Sequence, residues 1–282
     1  MQHEPWGTLA QSGLSGDTET GENLMTNNRF AGKVLLITGG AGGLGAATAH
    51  AAGHQGGSIA ILDTNSEAIN ELITNLRSLG ITADGRAVDV RDGKAVTKAV
   101  SELADSLNGI DILIAAAGGS LGTPRDMDDI SDDDLDLVID VNVKGTYYCA
   151  KAVIPFMKKK GGGSIVTFSS IGGRSASPVT GVPYATAKAA ILGLTRRLAK
   201  EVGLDNIRIN AIAPGLFLTD RLTGMFEKLS AAERQEVLSG IPLGRMPELR
   251  ECVDPVLFLA SNESSYITGA VLDVNGGRFM PS

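Results

Sequence analysis

The sequence predicts a doubly wound α/β fold: one parallel sheet with helices on both faces. Three observations predict it. From Lys33 onward, short apolar runs alternate with amphipathic stretches of helical length. The runs are mostly unbroken, as strands buried on both faces are, rather than alternating apolar and polar. Seven runs interleave with helical stretches, the order that βαβ crossovers produce.

The apolar runs lie at 34–38, 58–62, 83–88, 110–116, 165–169, 207–212 and 270–274. Helical stretches lie at 43–53, 66–79, 92–107, 131–158, 184–202, 222–239 and 249–260. No internal repeat is present and no Pro/Ser-rich linker follows Arg29, so residues 29–282 read as one domain. Lys158–Lys160 followed by Gly161–Gly163 reads as a helix stop, with cations at the negative end of the helix dipole. The acidic stretch from Asp126 to Asp136 reads as a helix start.

The chain of 282 residues is long enough to bury a substantial core. Its net charge of -7 speaks against nucleic acid, which selects a basic stripe. Its two cysteines, Cys149 and Cys252, lack any zinc or disulfide spacing, so no metal is expected, and they read as buried thiols of a cytoplasmic protein. No apolar run approaches the length of a membrane span. Residues 1–28 are polar and Gly-rich, without the basic and apolar regions of a secretory signal, and read as a flexible tail. Met25 offers an alternative start.

The first run leads into Gly39-Gly40-Ala41-Gly42-Gly43-Leu44-Gly45 and then a helix. Such a turn presents backbone N–H groups and a helix N-terminus to a pyrophosphate. The second run ends at Asp63, placed to accept from the adenosine ribose hydroxyls and to repel a 2′-phosphate. Gly42 in the turn and Thr64 after Asp63 offer no cation for that phosphate. Both features favour NAD over NADP. A helix-capping role is the alternative for Asp63.

Tyr184 and Lys188 stand four apart at the start of a helix, on one face. A nearby ammonium stabilises a phenolate, pulling its pKa down from about 10 toward neutrality. That suits Tyr184 for general acid–base work. Ser170 follows the fifth run, at the end of the sheet where open α/β folds hold ligands. Its hydroxyl can meet the substrate oxygen that Tyr184 protonates; Ser169 is the other candidate. Asn142 interrupts an apolar stripe within 131–158, either as a functional group or as a hydrogen-bonded core residue.

Taken together, these residues resemble the short-chain dehydrogenase/reductase family over about residues 29–278. The motifs are Thr38-Gly-x-x-x-Gly-x-Gly45, Asp89-Val90, Asn142-Val-x-Gly145, Ser170, Tyr184-x-x-x-Lys188, Pro214-Gly215, Thr268-Gly269 and Asn275-Gly-Gly277. The resemblance implies a Rossmann-type sheet of order 3-2-1-4-5-6-7. It implies a catalytic tetrad of Asn142, Ser170, Tyr184 and Lys188, with Lys188 also on the nicotinamide ribose and Asn142 holding a relay water. It places Asp89 and Val90 at the adenine, and Pro214, Gly215 and Thr219 at the nicotinamide. The family's Asn-Asn-Ala-Gly is here Ala115-Ala116-Ala117-Gly118, so Ala116 and Gly118 face the cofactor without asparagine side chains. Ser170 and Tyr184 stand 14 positions apart, one more than the commonest spacing, and the loop between them absorbs the difference.

The expectation is an NAD-dependent oxidoreductase acting on a small-molecule secondary alcohol or ketone. Two rivals are an NADPH-dependent 3-oxoacyl-carrier-protein reductase and a non-enzymatic dinucleotide sensor. Asp63 and the acidic surface oppose the first; the intact tetrad opposes the second. Leu216, Phe217, Leu218, Leu222, Met225, Phe226 and Leu229 suit either a flap over a carbon-rich substrate or simple packing. Apolar residues on several faces of 131–158 and 184–202 (Val143, Tyr147, Cys149, Val153, Leu192, Leu194, Leu198) predict a homo-oligomer, a tetramer or dimer.

Overall fold

A computed structural model describes residues 28–176, 180–217 and 230–281. Its seven strands are β1 (Val34–Thr38), β2 (Ser58–Asp63), β3 (Ala83–Ala87), β4 (Ile112–Ala115), β5 (Gly163–Phe168), β6 (Ile207–Pro214) and β7 (Val271–Val274). They form one sheet in the order β3-β2-β1-β4-β5-β6-β7, with every neighbouring pair parallel. The chain runs outward from β1 to β3, then returns to place β4 on the other side of β1. That reversal opens a crevice at the carboxyl ends of β1 and β4.

The central strands β1, β2, β4 and β5 are largely apolar because both faces of the sheet are covered there, whereas the edge strands β3 and β7 are only partly buried. Leu35 and Ile37 of β1 join one buried cluster and Val34 and Leu36 join the other, the two-residue period of a strand. The first cluster receives α1 (Gly43–His54), α2 (Ser66–Ser78) and α8 (Arg250–Ala260). The second receives α3 (Gly93–Leu107), α5 (Gly145–Lys159) and α6 (Val182–Val202). Cys149 lies in the second and Cys252 in the first, both free.

Local chemistry sets the helix ends. Asn65 caps α2 and Asp92 caps α3, each accepting two backbone N–H groups. Within the acidic stretch, Ser131 and Asp134 form a capping box that starts α4 (Asp132–Ile139). Helix α5 stops at Gly161, in the left-handed region at φ 80°, while Lys158 pairs with Asp205 at 2.8 Å and Lys160 with Asp111 at 2.6 Å.

Two helical readings are corrected. The stretch 131–158 is not one regular helix: a π turn, Asp140–Lys144, separates α4 from α5. Asn142 sits inside that turn, fully buried, and its side chain gives the Val138 carbonyl a partner at 2.9 Å. Side chains that bond backbone carbonyls compete with the regular ladder, and hydrophobic periodicity does not register it. At the other end, α6 begins two residues early at Val182, with Pro183 in its first turn.

Of the stretch 222–239, Ala231–Ser239 is helical (α7) and 222–229 lies outside the described residues, as does the tail before residue 28. Among the described residues no helix is long and apolar enough to cross a membrane.

Candidate active site

A groove of about 500 Å³ runs across the carboxyl ends of β1, β4, β5 and β6. Its floor is the glycine turn. Gly39 adopts φ 60°, and a Cβ there would come within 2.8 Å of the Ala117 backbone. A Cβ on Gly45 would collide with the Gly39 carbonyl. These two glycines therefore let α1 start directly under the strand ends. Gly42 caps α1 without a side-chain bond, and no acidic residue occupies the first turn. Among the described residues, the N-terminal N–H groups of α1 meet no carboxylate from the helix's own first turn, the arrangement that receives a phosphate.

Gly39, Gly42, Gly43, Leu44 and Gly45 line the groove, as do Ala116, Gly118, Pro214 and Gly215. Asp63 stands beside the turn. Its Oδ2 accepts the Ala41 N–H at 3.1 Å, and its Oδ1 accepts those of Thr64 at 2.7 Å and Asn65 at 3.2 Å. Because Asn65 caps α2, the helix-capping alternative for Asp63 falls.

Asp89 and Val90 are not brought to the groove. The Asp89 carboxylate is taken by Arg91 at 2.6 and 2.8 Å, whose hydrogen bonds hold it below the usual carboxylate range. It faces a separate surface hollow with Asp140, Tyr148 and Lys151. Val90 is buried against Gly145. Thr219 lies outside the described residues.

At the other end, Ser170, Tyr184 and Lys188 line the groove together. Lys188 is 5% exposed and donates to the Phe168 carbonyl at 2.9 Å. Its Nζ lies 5.6 Å from the centre of the Tyr184 ring. Among the described residues no carboxylate pairs with it, and burial pushes its pKa down to about 8. The two serines divide. Ser169 Oγ donates its proton to the Lys188 carbonyl at 2.7 Å. Ser170 Oγ accepts the Gly172 N–H at 3.1 Å, and among the described residues its own proton has no acceptor.

Asn142 stands directly behind the groove wall. Its Oδ1 accepts the Gly119 N–H at 3.0 Å while its Nδ2 donates to the Gly119 carbonyl at 3.0 Å. A Cβ on the intervening Gly118, whose φ is 143°, would collide with that Oδ1 and stand 3.5 Å from Lys188 Nζ. The absence of a side chain there keeps both polar heads against the groove. Sequence reasoning missed Ala117, Gly119 and Phe168 as lining residues. Phe168 was legible in principle, as the last strand residue before the serines.

A positively polarised helix end at the middle, a carboxylate near one end and a buried amine at the other fit a nicotinamide dinucleotide. Comparison with known proteins agrees. A family model described as enoyl-(acyl carrier protein) reductase matches residues 39–278. An uncharacterized short-chain type dehydrogenase/reductase of Sinorhizobium fredii is 40% identical over 253 residues, covering 88% of this chain and 98% of that one.

This chain is a short-chain dehydrogenase/reductase.

A 3-oxoacyl-[acyl-carrier-protein] reductase of Thermotoga maritima is 38% identical, covering 88% of this chain and 98% of the relative. Among solved structures, a Brucella melitensis 3-oxoacyl-[acyl-carrier protein] reductase with bound NAD superposes at a TM-score of 0.82 and 33% identity, covering 95% and 99%. As a short-chain dehydrogenase/reductase the chain is an oxidoreductase acting on CH–OH groups and binds a nicotinamide dinucleotide.

Proposed function

We propose that this short-chain dehydrogenase/reductase uses NAD to interconvert a secondary alcohol and its ketone, with Tyr184 as acid and base. The observation that carries the reading is Lys188: a buried amine with no carboxylate partner among the described residues, in the groove beside Tyr184. While it holds its proton it favours the phenolate, so Tyr184 can take the alcohol proton at a pH where an isolated tyrosine cannot. Ser170 donates its free proton to the same substrate oxygen. Asn142 fixes Gly119, and through it the wall that faces Lys188. The nicotinamide, when bound, supplies the hydride acceptor or donor. The N–H groups at the start of α1 hold the pyrophosphate, with Gly39 to Gly45, Ala116, Gly118, Pro214, Gly215 and Thr219 around the cofactor.

Asp63 supports NAD, since its carboxylate would face a 2′-phosphate; Gly42 and Thr64 supply no cation to offset it. For Asp89 and Val90 to reach the adenine, Asp89 must share its carboxylate with Arg91. A homotetrameric or dimeric assembly in the cytoplasm completes the reading. Following NADH formation across a panel of secondary alcohols tests it, and no turnover of any of them with NAD would defeat it.

The relative named 3-oxoacyl-[acyl-carrier-protein] reductase and the neighbour of that name with bound NAD favour a second reading, reduction of a 3-oxoacyl thioester. The same assay run in reverse, with a 3-oxoacyl thioester and NADH, separates the two.

A further inference from the structure

The turn that carries Ser170 is closed almost entirely on itself. Gly172 N–H donates to Ser170 Oγ, Gly173 N–H to the Ser170 carbonyl, and Arg174 and Ser175 N–H to the Ile171 carbonyl. None of these bonds ties the turn itself to another element; its entry is held one residue earlier, where the Ser169 N–H donates to the Ile212 carbonyl at 2.8 Å and Ser169 Oγ donates to the Lys188 carbonyl at 2.7 Å. Gly173 rests against α6, where a Cβ would come within 2.5 Å of the Lys188 backbone. That contact resists approach but not withdrawal.

Arg174 holds the far end of the turn. Its Nε lies 2.9 Å from Asp273 Oδ1, with side-chain exposures of 17% and 16%. Both atoms are shut from solvent, and their approach lacks the direction of a hydrogen bond, so the contact is a charge pair. The guanidinium also lies 5.4 Å from the centre of the Phe279 ring. Phe279 is itself held by Asn275, which donates to its carbonyl at 3.0 Å and accepts its N–H at 3.3 Å.

Asp273 belongs to the strand that supports the opposite wall. It pairs with Ala213, and Val274 pairs with Pro214. The Gly215 N–H donates to the Val274 carbonyl at 2.8 Å, and a Cβ on Gly215 would lie 3.0 Å from the Asn275 Cα. One strand therefore carries the Pro214–Gly215 wall and holds the far end of the Ser170 turn.

We propose that the Arg174–Asp273 pair is a positioning device that locks the Ser170 turn to β7 and so fixes Ser170 relative to the Pro214–Gly215 wall. A largely buried ion pair is a poor way to gain stability, because both ions lose their water. It is a good way to specify one arrangement, because a lone buried charge tolerates no other. The catalytic consequence rests on the reading of Ser170 as the hydroxyl that meets the substrate oxygen.

Asp273→Asn and Arg174→Met, in the full chain, test it by two readouts. The first is amide hydrogen exchange, which needs no substrate. Exchange at Gly172, Gly173 and Arg174 should quicken in both variants, while β5 and the glycine turn exchange as before. The second is turnover: kcat should fall on the order of 10–100-fold, the scale of a misplacement of about 1 Å, with NAD affinity unchanged. Arg174→Lys, which keeps the charge, should recover part of kcat, and the double variant should be no worse than either single one. Unchanged exchange in the turn would overturn the proposal. So would faster exchange throughout the domain, which marks a merely structural pair, or a loosened turn with normal kcat. If the wild type turns over no alcohol, the reading of Ser170 fails, and the exchange measurement still decides whether the pair anchors the turn.

Discussion

The Asp63 carboxylate accepts the Ala41 N–H at 3.1 Å, so one side chain at the end of β2 braces the glycine turn that follows β1. The same carboxylate is expected to select the cofactor, which makes a clean exchange of specificity difficult with Asp63→Ala alone. Gly42 offers the remedy. Nothing lies within 4 Å of a Cβ placed there, so a side chain can start at that position without a clash. We expect wild-type turnover to favour NAD, and Asp63→Ala combined with Gly42→Arg to move the ratio toward NADP on the order of 10–100-fold, the worth of exchanging a repulsion for an attraction at partly solvated range. Initial rates with both cofactors check this; a wild type faster with NADPH than NADH would reverse it.

Assembly is a second expectation. Several residues that suggested an interface are spent inside the subunit: Cys149, Val153 and Leu192 are all buried. Val143, Leu194 and Leu198 are half-buried, and the exposed large apolar side chains on these helices are Leu135 at 40% exposure, Tyr147 at 41% and Val182 at 50%. Single apolar side chains on a surface are ordinary, but these share the α4–α6 side of the fold. Light scattering at micromolar concentration should give a tetramer or dimer mass, and Tyr147→Glu should shift it downward. A monomer mass for the wild type would refute the expectation.

Lys188 should cost the ligand-free protein stability. Its pKa falls from 10.5 to about 8 because folding removes its water. Between those values the unfolded chain holds a proton that the folded one has released, so stability rises with pH across that window. Below it, the folded protein carries the full cost, at most about 3 kcal/mol for a shift of this size. Lys188→Met should therefore raise the melting temperature at pH 7 and lose that advantage as pH approaches 10.5, while abolishing turnover. An unchanged or lower melting temperature at pH 7 would show that the Phe168 bond outweighs the desolvation.

Most of this architecture was legible because buried parallel strands leave unbroken apolar runs, and the glycine turn and Tyr184-x-x-x-Lys188 are local signals. Even β3 was found, although Ala83–Ala87 includes Asp84 and Arg86, as an edge strand allows. What stayed hidden depends on partners distant in the chain. Apolar periodicity could not register the π turn at Asn142, whose side chain bonds Gly119 on another segment. Nor does it register how the hydroxyls of Ser169 and Ser170 differ, since the contact that occupies Ser169 is the Lys188 carbonyl. The Arg174–Asp273 pair joins the loop after β5 to β7, and neither residue stands in a motif.

Proton transfer gives the most direct test. Tyr184→Phe keeps the ring beside Lys188 and removes only the ionisable oxygen. The oxidation rate should fall by about 10²–10⁴-fold, the usual contribution of general acid–base catalysis. NADH binding, followed by fluorescence, should persist, because the glycine turn and Asp63 are untouched. Ser170→Ala should lose rate with little change in that affinity, whereas Lys188→Ala should lose both, since the amine is expected to serve Tyr184 and the nicotinamide ribose together. The wild-type oxidation rate should climb with pH as Tyr184 releases its proton. It should level off rather than keep rising above about 8, where Lys188 gives up the charge that favours the phenolate. Bound cofactor alters that upper limit, so the pH dependence of kcat and of kcat/KM should differ there. A Tyr184→Phe protein that turns over a proven substrate at near wild-type rate would remove Tyr184 from the chemistry and leave the groove with binding alone.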